Sequence, residues 1–539
     1  MAKQVFSVQS IFEGIAPSQY FARPGNYLAG IGIDPDLPQS DAVGNRQTSG
    51  LLRPSGYASF DSGNVNANPY WILTSPKTAL VYTYLNNGRL ISYNSSLAIA
   101  SETLIGTPTS GAGNGAAYYN NYLYLPTPTD ISYYGPLNDT ATLYNARWTG
   151  AALGTQTALT NTTYPSIRGS GVMPNHPMHV HTDNKLYFGD FLNGIGLIHF
   201  IKTKRTTKEG DTNDGSTYAT ASASLDLPFG FMPTDIESWG NDIVVSAIQT
   251  TNSTLNQGRA CLFFWDTAST SFYNQVWLPD PLITALLNNN GKLYIFSGSI
   301  STGTDVSNGY RISVYLGGQT TKQIYYSESG SPPLAGAVDA VGDRVVWGTF
   351  EQLPTTTGAS PEYYGVVMAL GSKRHDVPQG VHGIINSKAS GTAADGIVTA
   401  VKNVQQSSFA YPKFVVGWRD SANFGLDSQS TTYGTSIWRS QMFNIGKKFK
   451  ITRIRIPLAQ AVAANMTITP KVFLDDYSSS STSGLTVINN TNYPNSERVV
   501  VFTPDISGDH NFCLELRSTG TALLVPLFPI EIEITDFND

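Results

Sequence analysis

Ile283-Thr284-Ala285-Leu286-Leu287, a corner at Asn289-Asn290-Gly291, then Leu293-Tyr294-Ile295-Phe296: two short apolar runs meet across a turn that only a few residue types make cheaply. A tight corner between antiparallel strands needs positive φ, which Asn and Gly tolerate, so this stretch predicts a β-hairpin. The same unit returns along the chain. Ala79 to Tyr84 turns at Asn86-Asn87-Gly88 into Leu90 to Tyr93, and Ala116 to Tyr119 turns at Asn120-Asn121 into Tyr122 to Leu125. His179 to His181 turns at Asp183-Asn184 into Leu186 to Phe188, and Ile236 to Trp239 turns at Gly240-Asn241-Asp242 into Ile243 to Ala247. Ala337 to Val341 turns at Gly342-Asp343 into Arg344 to Trp347.

Most of these hairpins are followed by two more strand-like runs, such as Ala260 to Trp265 with Phe272 to Leu278, and Tyr310 to Leu316 with Lys322 to Tyr326. Four strands recurring every 35 to 60 residues, roughly, are the signature of propeller blades. One blade cannot cover its own two faces, so blades stack around an axis, and the ring needs a last blade completed from elsewhere. Gly396 to Val404 and Phe414 to Trp418 supply part of that blade. Gly50 to Phe60, just before the first full hairpin, is expected to pair with them. The expectation is an all-β chain: an extended arm over 1–49, a propeller of about seven four-stranded blades over 50–428, and an antiparallel β-sandwich over 429–539. The last rests on longer alternating strands: Ile437 to Ile445, Phe449 to Ile456, Met466 to Leu474, Arg498 to Phe502, Asn511 to Leu516 and Ile530 to Phe537.

Composition agrees. Of 539 residues only 13% are charged, about half the usual share, whereas Gly (50), Pro (30) and Tyr (29) are plentiful. Long helices need runs of Ala, Leu, Glu, Lys and Arg, and only short candidates such as Leu458 to Ala464 exist. A net charge of −6, with basic residues only in small groups (Lys202 to Arg205, Lys447 to Arg455), leaves no stripe to track a phosphate backbone. The second group alternates with Phe449, Ile451, Ile454 and Ile456, the pattern of a strand with one solvated face. No apolar leader follows Met1, and no run approaches the ~18 residues that cross a bilayer. Cys261 and Cys513 sit in apolar runs, as inert buried thiols do, so no disulfide framework is expected. Sequons such as Asn94-Ser95-Ser96 follow from Asn and Thr richness.

The densest chemical motif is His176-Pro177-Met178-His179-Val180-His181, since imidazoles at i and i+2 of a strand share a face and could hold zinc. No Cys or acidic residue closer than Asp183 offers a third ligand at a familiar spacing, so a structural role is expected. Gly111-Ala112-Gly113-Asn114-Gly115 has no helix after it and reads as a loop. The chain lacks a Gly-x-Ser-x-Gly elbow, a phosphate loop and the Ser-x-Asp-x-Gly-x-x-Trp turns of sialidase propellers. Tyrosine clusters (Tyr118-Tyr119, Tyr122, Tyr124, Tyr133-Tyr134; Tyr325-Tyr326; Tyr363-Tyr364) could stack sugars or anchor an interface, but pleated surfaces favour Tyr in any case. No catalytic, cofactor-binding or metal residue is assigned, and an enzyme is not expected.

Ser436-Ile437-Trp438-Arg439-Ser440, Phe449-Lys450-Ile451-Thr452-Arg453-Ile454-Arg455-Ile456-Pro457-Leu458 and Ile488-Asn489-Asn490 resemble segments at the C-termini of tail or neck proteins of tailed bacteriophages. The style of the chain, few charges and all-β modules in series, resembles virion proteins of that class, nozzle, tail-tube or baseplate. The resemblance implies a structural tail protein of the virion, made in the host cytoplasm. It would assemble with copies of itself and with other tail proteins through arm and sandwich. The alternatives are a receptor- or glycan-binding module, with host surface glycan as partner, and behind it a polysaccharide-degrading propeller.

Overall fold

In a computed structural model, all six corners quoted above contain a residue in the left-handed region: Gly88, Asn120 with Asn121, Asn184, Gly240, Asn290 with Gly291, and Gly342. The hairpins they close are all antiparallel pairs, for instance Leu286↔Ile295 and Leu287↔Tyr294 across the Asn290-Gly291 turn. The structure describes residues 3–9, 14–16, 22–31, 39–40, 47–48, 55–61, 63–76, 78–104, 115–126, 131–135, 137, 147–148, 163–164, 173–174, 176–192, 194–201, 225–249, 259–298, 309–327, 330–353, 362–370, 382–384, 397–405, 412–420, 423–433, 436–458, 461–462, 467–477, 479–493, 498–518 and 529–536. Among them the single helical turn is the 3-10 segment Ala335–Ala337; Leu458 directly follows the strand Phe449–Pro457, and most of the rest of the short helix candidate, 459–460 and 463–464, lies outside the described residues. The chain forms two compact units, one of residues 59–350 with 395–428, the other of 1–58, 351–394 and 429–539.

Seven four-stranded antiparallel sheets follow one another among the described residues. Sheet 1 is Pro69–Thr74, Val81–Leu85, Arg89–Tyr93 and Ile99–Leu104; sheet 2 is Ala117–Tyr119, Tyr122–Pro126, Ile131–Gly135 and Arg147–Trp148. Sheet 3 is Met178–Val180, Leu186–Leu192, Ile195–Ile201 and Leu225–Phe229; sheet 4 is Phe231–Trp239, Asp242–Gln249, Ala260–Trp265 and Asn274–Trp277. Sheet 5 is Leu282–Asn289, Lys292–Gly298, Tyr310–Gly317 and Thr320–Ser327; sheet 6 is Val338–Val341, Arg344–Leu353, Glu362–Ala369 and His382–Ile384. Sheet 7 is Ile397–Val404, Lys413–Asp420 and Asn423–Tyr433, with Ser55–Asp61 from upstream of sheet 1 as its fourth strand.

Alternation explains why these sheets cannot stand alone. In sheet 4, Ile243, Val245, Cys261, Phe263 and Trp265 enter one core, shared with Tyr187, Ile198 and Leu225 of sheet 3. Their strand neighbours Val244, Leu262 and Phe264 enter a second core with Ile283, Leu293 and Ile295 of sheet 5. Both faces are therefore apolar, and each fully buried side chain of this size contributes about 1.5–3 kcal/mol that an isolated sheet would forfeit. The same sharing joins sheets 2 and 3, and it joins sheet 7 (Ala400, Val404, Val415, Leu426) to sheet 1 (Ile72, Val81, Ile91).

Hydrogen bonds tie every consecutive pair. Tyr84 OH donates to Pro126 O (2.6 Å), Tyr119 OH to Asn184 O (2.7 Å), and Asn288 Nδ2 to Ser238 O (2.7 Å). Trp347 Nε1 donates to Tyr310 OH (2.9 Å), and Asp339 accepts from Asn403 N (2.7 Å) and Lys402 Nζ (3.0 Å). Thr399 Oγ1 donates to Pro69 O (2.7 Å), which joins the last sheet to the first. The ties between sheets 3 and 4 are described below. Sheets that share cores in sequence order and return to the first make the seven-sheet array a β-propeller. Close approach demands glycine at two of the joints: a Cβ on Gly115 would lie 1.9 Å from His176 O, and one on Gly336 1.9 Å from Tyr70 O.

In the other unit, a five-stranded sheet runs Lys3–Val8, Ile530–Asp536, Phe449–Pro457, Val499–Phe502, with Ile506–Gly508 also on Phe449–Pro457. A six-stranded sheet runs Tyr27–Ile31, Ser436–Ser440, Asn511–Ser518, Ile468–Leu474, Ser479–Ser481, with Phe443–Asn444 also on Asn511–Ser518. One hydrophobic core takes residues from both sheets, among them Phe449, Ile451, Ile454 and Ile456. The intervening Lys450, Arg453 and Arg455 face outward, where Lys3–Glu533 (2.8 Å), Lys450–Asp505 (2.7 Å) and Arg455–Glu531 (3.3 Å) pair across strands.

Candidate functional site

The histidine motif lies between sheets 3 and 4. His179 stands on the strand Met178–Val180 and His181 just beyond it, and, two residues apart, both reach the same atom. His179 Nε2 and His181 Nδ1 each lie 2.7 Å from Ser238 Oγ, on the first strand of sheet 4. The protons can be placed by elimination. Asn241 O, 3.0 Å from His181 Nε2, can only accept, so that nitrogen carries hydrogen and Nδ1 accepts from the Ser238 hydroxyl. The hydroxyl having one proton, His179 Nε2–H donates to it. Glu237 Oε1 stands 3.4 Å from the same nitrogen and also accepts from Ser238 N (2.8 Å).

Burial governs the electrostatics. It holds His179 down to about 4 and lowers His181. It pushes Glu237 up to about 7, and Asp235 up to about 8 against the two backbone N–H groups, of Ile236 (2.8 Å) and Leu286 (2.6 Å), that it accepts from. His176 is separate from the trio: fully buried and held down to about 4, its Nδ1 lies 3.1 Å from Gly189 O and 3.9 Å from Asp190 Oδ1. Among the described residues no group of three His, Cys, Asp or Glu is placed to hold a metal ion. The arrangement is a proton-ordered chain of hydrogen bonds from His179 through Ser238 and His181 to a backbone carbonyl, with Glu237 beside its first member, fastening two sheets together. Sequence reasoning found the imidazoles and missed Ser238, Glu237 and Asp235. The available signal was acid and hydroxyl groups inside an otherwise apolar strand, Thr234-Asp235-Ile236-Glu237-Ser238.

The other singled-out residues divide differently. Cys261 and Cys513 are free and fully buried, and burial pushes each thiol up to about 12. Of the glycine-rich loop 111–115 only Gly115 is described; the rest lies outside the described residues, as do 202–205. Tyr119, Tyr122, Tyr124, Tyr134 and Tyr325 are buried, Tyr118 and Tyr326 half-buried, and the side chains of Tyr133, Tyr363 and Tyr364 lie outside the described residues. Among the described residues the exposed rings are others: Phe229 (75% exposed), Tyr273 (55%) and Trp277 (45%). Phe229 shares a strand face with the buried Leu225 and Leu227, but it stands at the strand's end beside Gly230, whose φ is 88°. Periodicity alone would have buried it.

The N-terminal strands are integral to the second unit. Lys3–Val8 pairs antiparallel with Ile530–Asp536 over six residues, from Lys3↔Thr535 to Val8↔Ile530. Phe6 meets Phe443 and Phe512 edge-on, at 5.5 and 5.9 Å between ring centres. Tyr27, on the strand that pairs with Ser436–Ser440, is fully buried in the shared core. Each strand is the outermost of its sheet; Lys3–Val8 has one strand neighbour, and Tyr27 also bridges Ile15 through backbone hydrogen bonds to Gly14 and Ala16.

No family model and no curated protein matches the sequence. Among solved structures, the chain is similar to the β-propeller domain of Cps50 (Swd1) from Myceliophteria thermophila, at 10% identity and a TM-score of 0.38, over 70% of this chain and 100% of that one. The WD40 domain of Pan2 from Neurospora crassa gives 9% and 0.39, over 70% and 95%. Raptor from Chaetomium thermophilum gives 10% and 0.42, over 70% and 30%. The strand order and the ties between sheets, rather than these distant likenesses, carry the propeller architecture.

Proposed function

We propose that the chain is a structural subunit of a phage virion tail, of the nozzle, tube or baseplate kind. In this reading it is a seven-bladed propeller with a C-terminal β-sandwich, joined to copies of itself and to other tail proteins through the N-terminal strands and the sandwich. A fold alone does not name a function, so the reading leans on how the residues are used. The observation that carries it is the histidine motif: the groups best suited to chemistry hold two sheets together. The resemblance of 436–440, 449–458 and 488–490 to C-terminal segments of phage tail proteins supplies the virion context. The test is the mass of the purified protein by light scattering, with negative-stain images of the same sample. Rings or a defined oligomer support the reading; a monomer of 58.2 kDa that stays monomeric with candidate tail partners overturns it.

A second reading, a glycan-binding module, is favoured by the exposed Phe229, Tyr273 and Trp277, since sugars stack on such rings. Glycan-array binding lost in Trp277→Ala supports it, and silence on the array removes it.

A further inference from the structure

We infer that the N-terminal segment is a strand donor: in the assembled particle, Lys3–Val8 and Tyr27–Ile31 of one copy complete the two sheets of a neighbouring copy's C-terminal unit. This deepens the assembly reading and rests on it.

Four observations point there. The two strands are the end strands of two different sheets that share one core, so one segment closes both sheets. Their side chains are core rather than decoration: Tyr27 is fully buried, Val8 nearly so, and Phe6 lies against Phe443 and Phe512. Without them, Ile530–Asp536 and Ser436–Ser440 would present unpaired edges beside an opened core, a state that recruits any available strand. Lastly, the pairs join positions more than 400 residues apart, such as Lys3 with Thr535 and Tyr27 with Ser440. What ties the segment to its own slot is therefore the tether, residues 32–54. Within them Gln39–Ser40 pairs with Gln47–Thr48; with that pair opened, the residues span at most about 80 Å.

Own-slot and neighbour-slot pairing make the same contacts, as exchange of an identical element between protomers always does. Effective concentration decides between them, and where copies are held side by side a neighbour's slot within reach of the tether competes on equal terms. The occupant is thus a second copy of this chain. Exchange around a closed ring would leave no slot empty and would link each subunit to the next by main-chain hydrogen bonds.

The test uses the full-length protein and two positions that face each other, the exposed Val5 and the half-buried Glu533. Val5→Cys and Glu533→Cys chains, tagged differently and co-expressed, are treated with a short bismaleimide; the native thiols are buried. The expected result is a cross-linked species of twice the chain mass carrying both tags, in yield similar to the internal cross-link of the V5C/E533C double variant. Cross-linking only within the double variant, with particles intact by light scattering, overturns strand donation and leaves the assembly reading standing. Monomers with no cross-chain product overturn both. A double variant that does not cross-link at all refutes the pairing itself.

Discussion

Replacing Arg439 with Met should cost the C-terminal unit about 3 kcal/mol, at the low end of the range for breaking a buried ion pair. Arg439 Nη2 and Nε lie 2.6 and 3.2 Å from Glu515 Oε2, and the two side chains are 1% and 2% exposed. The guanidinium also stacks over Phe473, 3.8 Å from its ring centre, and Tyr477, 4.9 Å away. Met keeps the apolar stem and its contact with the rings but leaves the Glu515 carboxylate buried without its close partner. Arg517 Nε, 3.7 Å from Glu515 Oε1, offsets part of that, which is why the low end applies. For a unit of this size, 3 kcal/mol lowers the melting temperature by about 6–12 °C. Scanning calorimetry of R439M, E515L and the double variant R439M/E515L measures it. The double variant should return to within about 1 kcal/mol of the parent, because an apolar pair of similar volume has no charge to desolvate. A melting point for R439M within 2 °C of the parent, roughly, would refute the reasoning, as would a double variant that loses the sum of both singles.

Stability should fall as pH drops from 6.5 to about 4, because His176, His179 and His199, all held down by burial, take a proton in the unfolded chain first; the share of His176 is about 3 kcal/mol, and His176→Gln should remove that share in urea titrations across the range. Asp235 works in the opposite sense: the folded chain holds its proton more tightly, so its ionisation costs stability as pH rises from about 4 to about 8, and Asp235→Asn should remove its part of that slope and leave the part from Glu237. Ser238→Ala strips a hydrogen bond from both His179 and His181 and should cost about 1–3 kcal/mol by urea unfolding, with the loss shrinking when His181 is also replaced by Phe. Gly336→Ala should lose about 1–3 kcal/mol, since its Cβ would sit on Tyr70 O, whereas Gly63→Ala, which meets nothing within 4 Å, should melt with the parent.

The hairpins were legible because their information is local: a strand shows its period over five residues, and Asn290-Gly291 or Asn120-Asn121 names its own turn. The alternation Phe449, Ile451, Ile454, Ile456 was legible for the same reason, even through the irregular register between Ile451 and Arg453. The strand from upstream that completes sheet 7 could be anticipated, since a repeat one strand short needs a donor. Nothing local announces that Val5 faces Glu533, and six residues of moderate β-propensity at a chain terminus look the same paired or free. Ser238 was hidden because its role exists only once sheets 3 and 4 stand side by side; the polar run Thr234 to Ser238 marks the strand as unusual without naming the histidines as partners.

Sheet 7 waits for its last member at the wrong end of the message. Ser55–Asp61 leaves the ribosome first, but its partner Asn423–Tyr433 follows more than 360 residues later. At typical synthesis speeds that is roughly 20–75 s during which an apolar-flanked strand has nowhere to dock. Lys3–Val8 waits longer still, for Ile530–Asp536. Birth order therefore leaves these strands unpaired for most of synthesis, and a product truncated before Asn423 lacks the strand that Ser55–Asp61 pairs with, however many sheets it has finished.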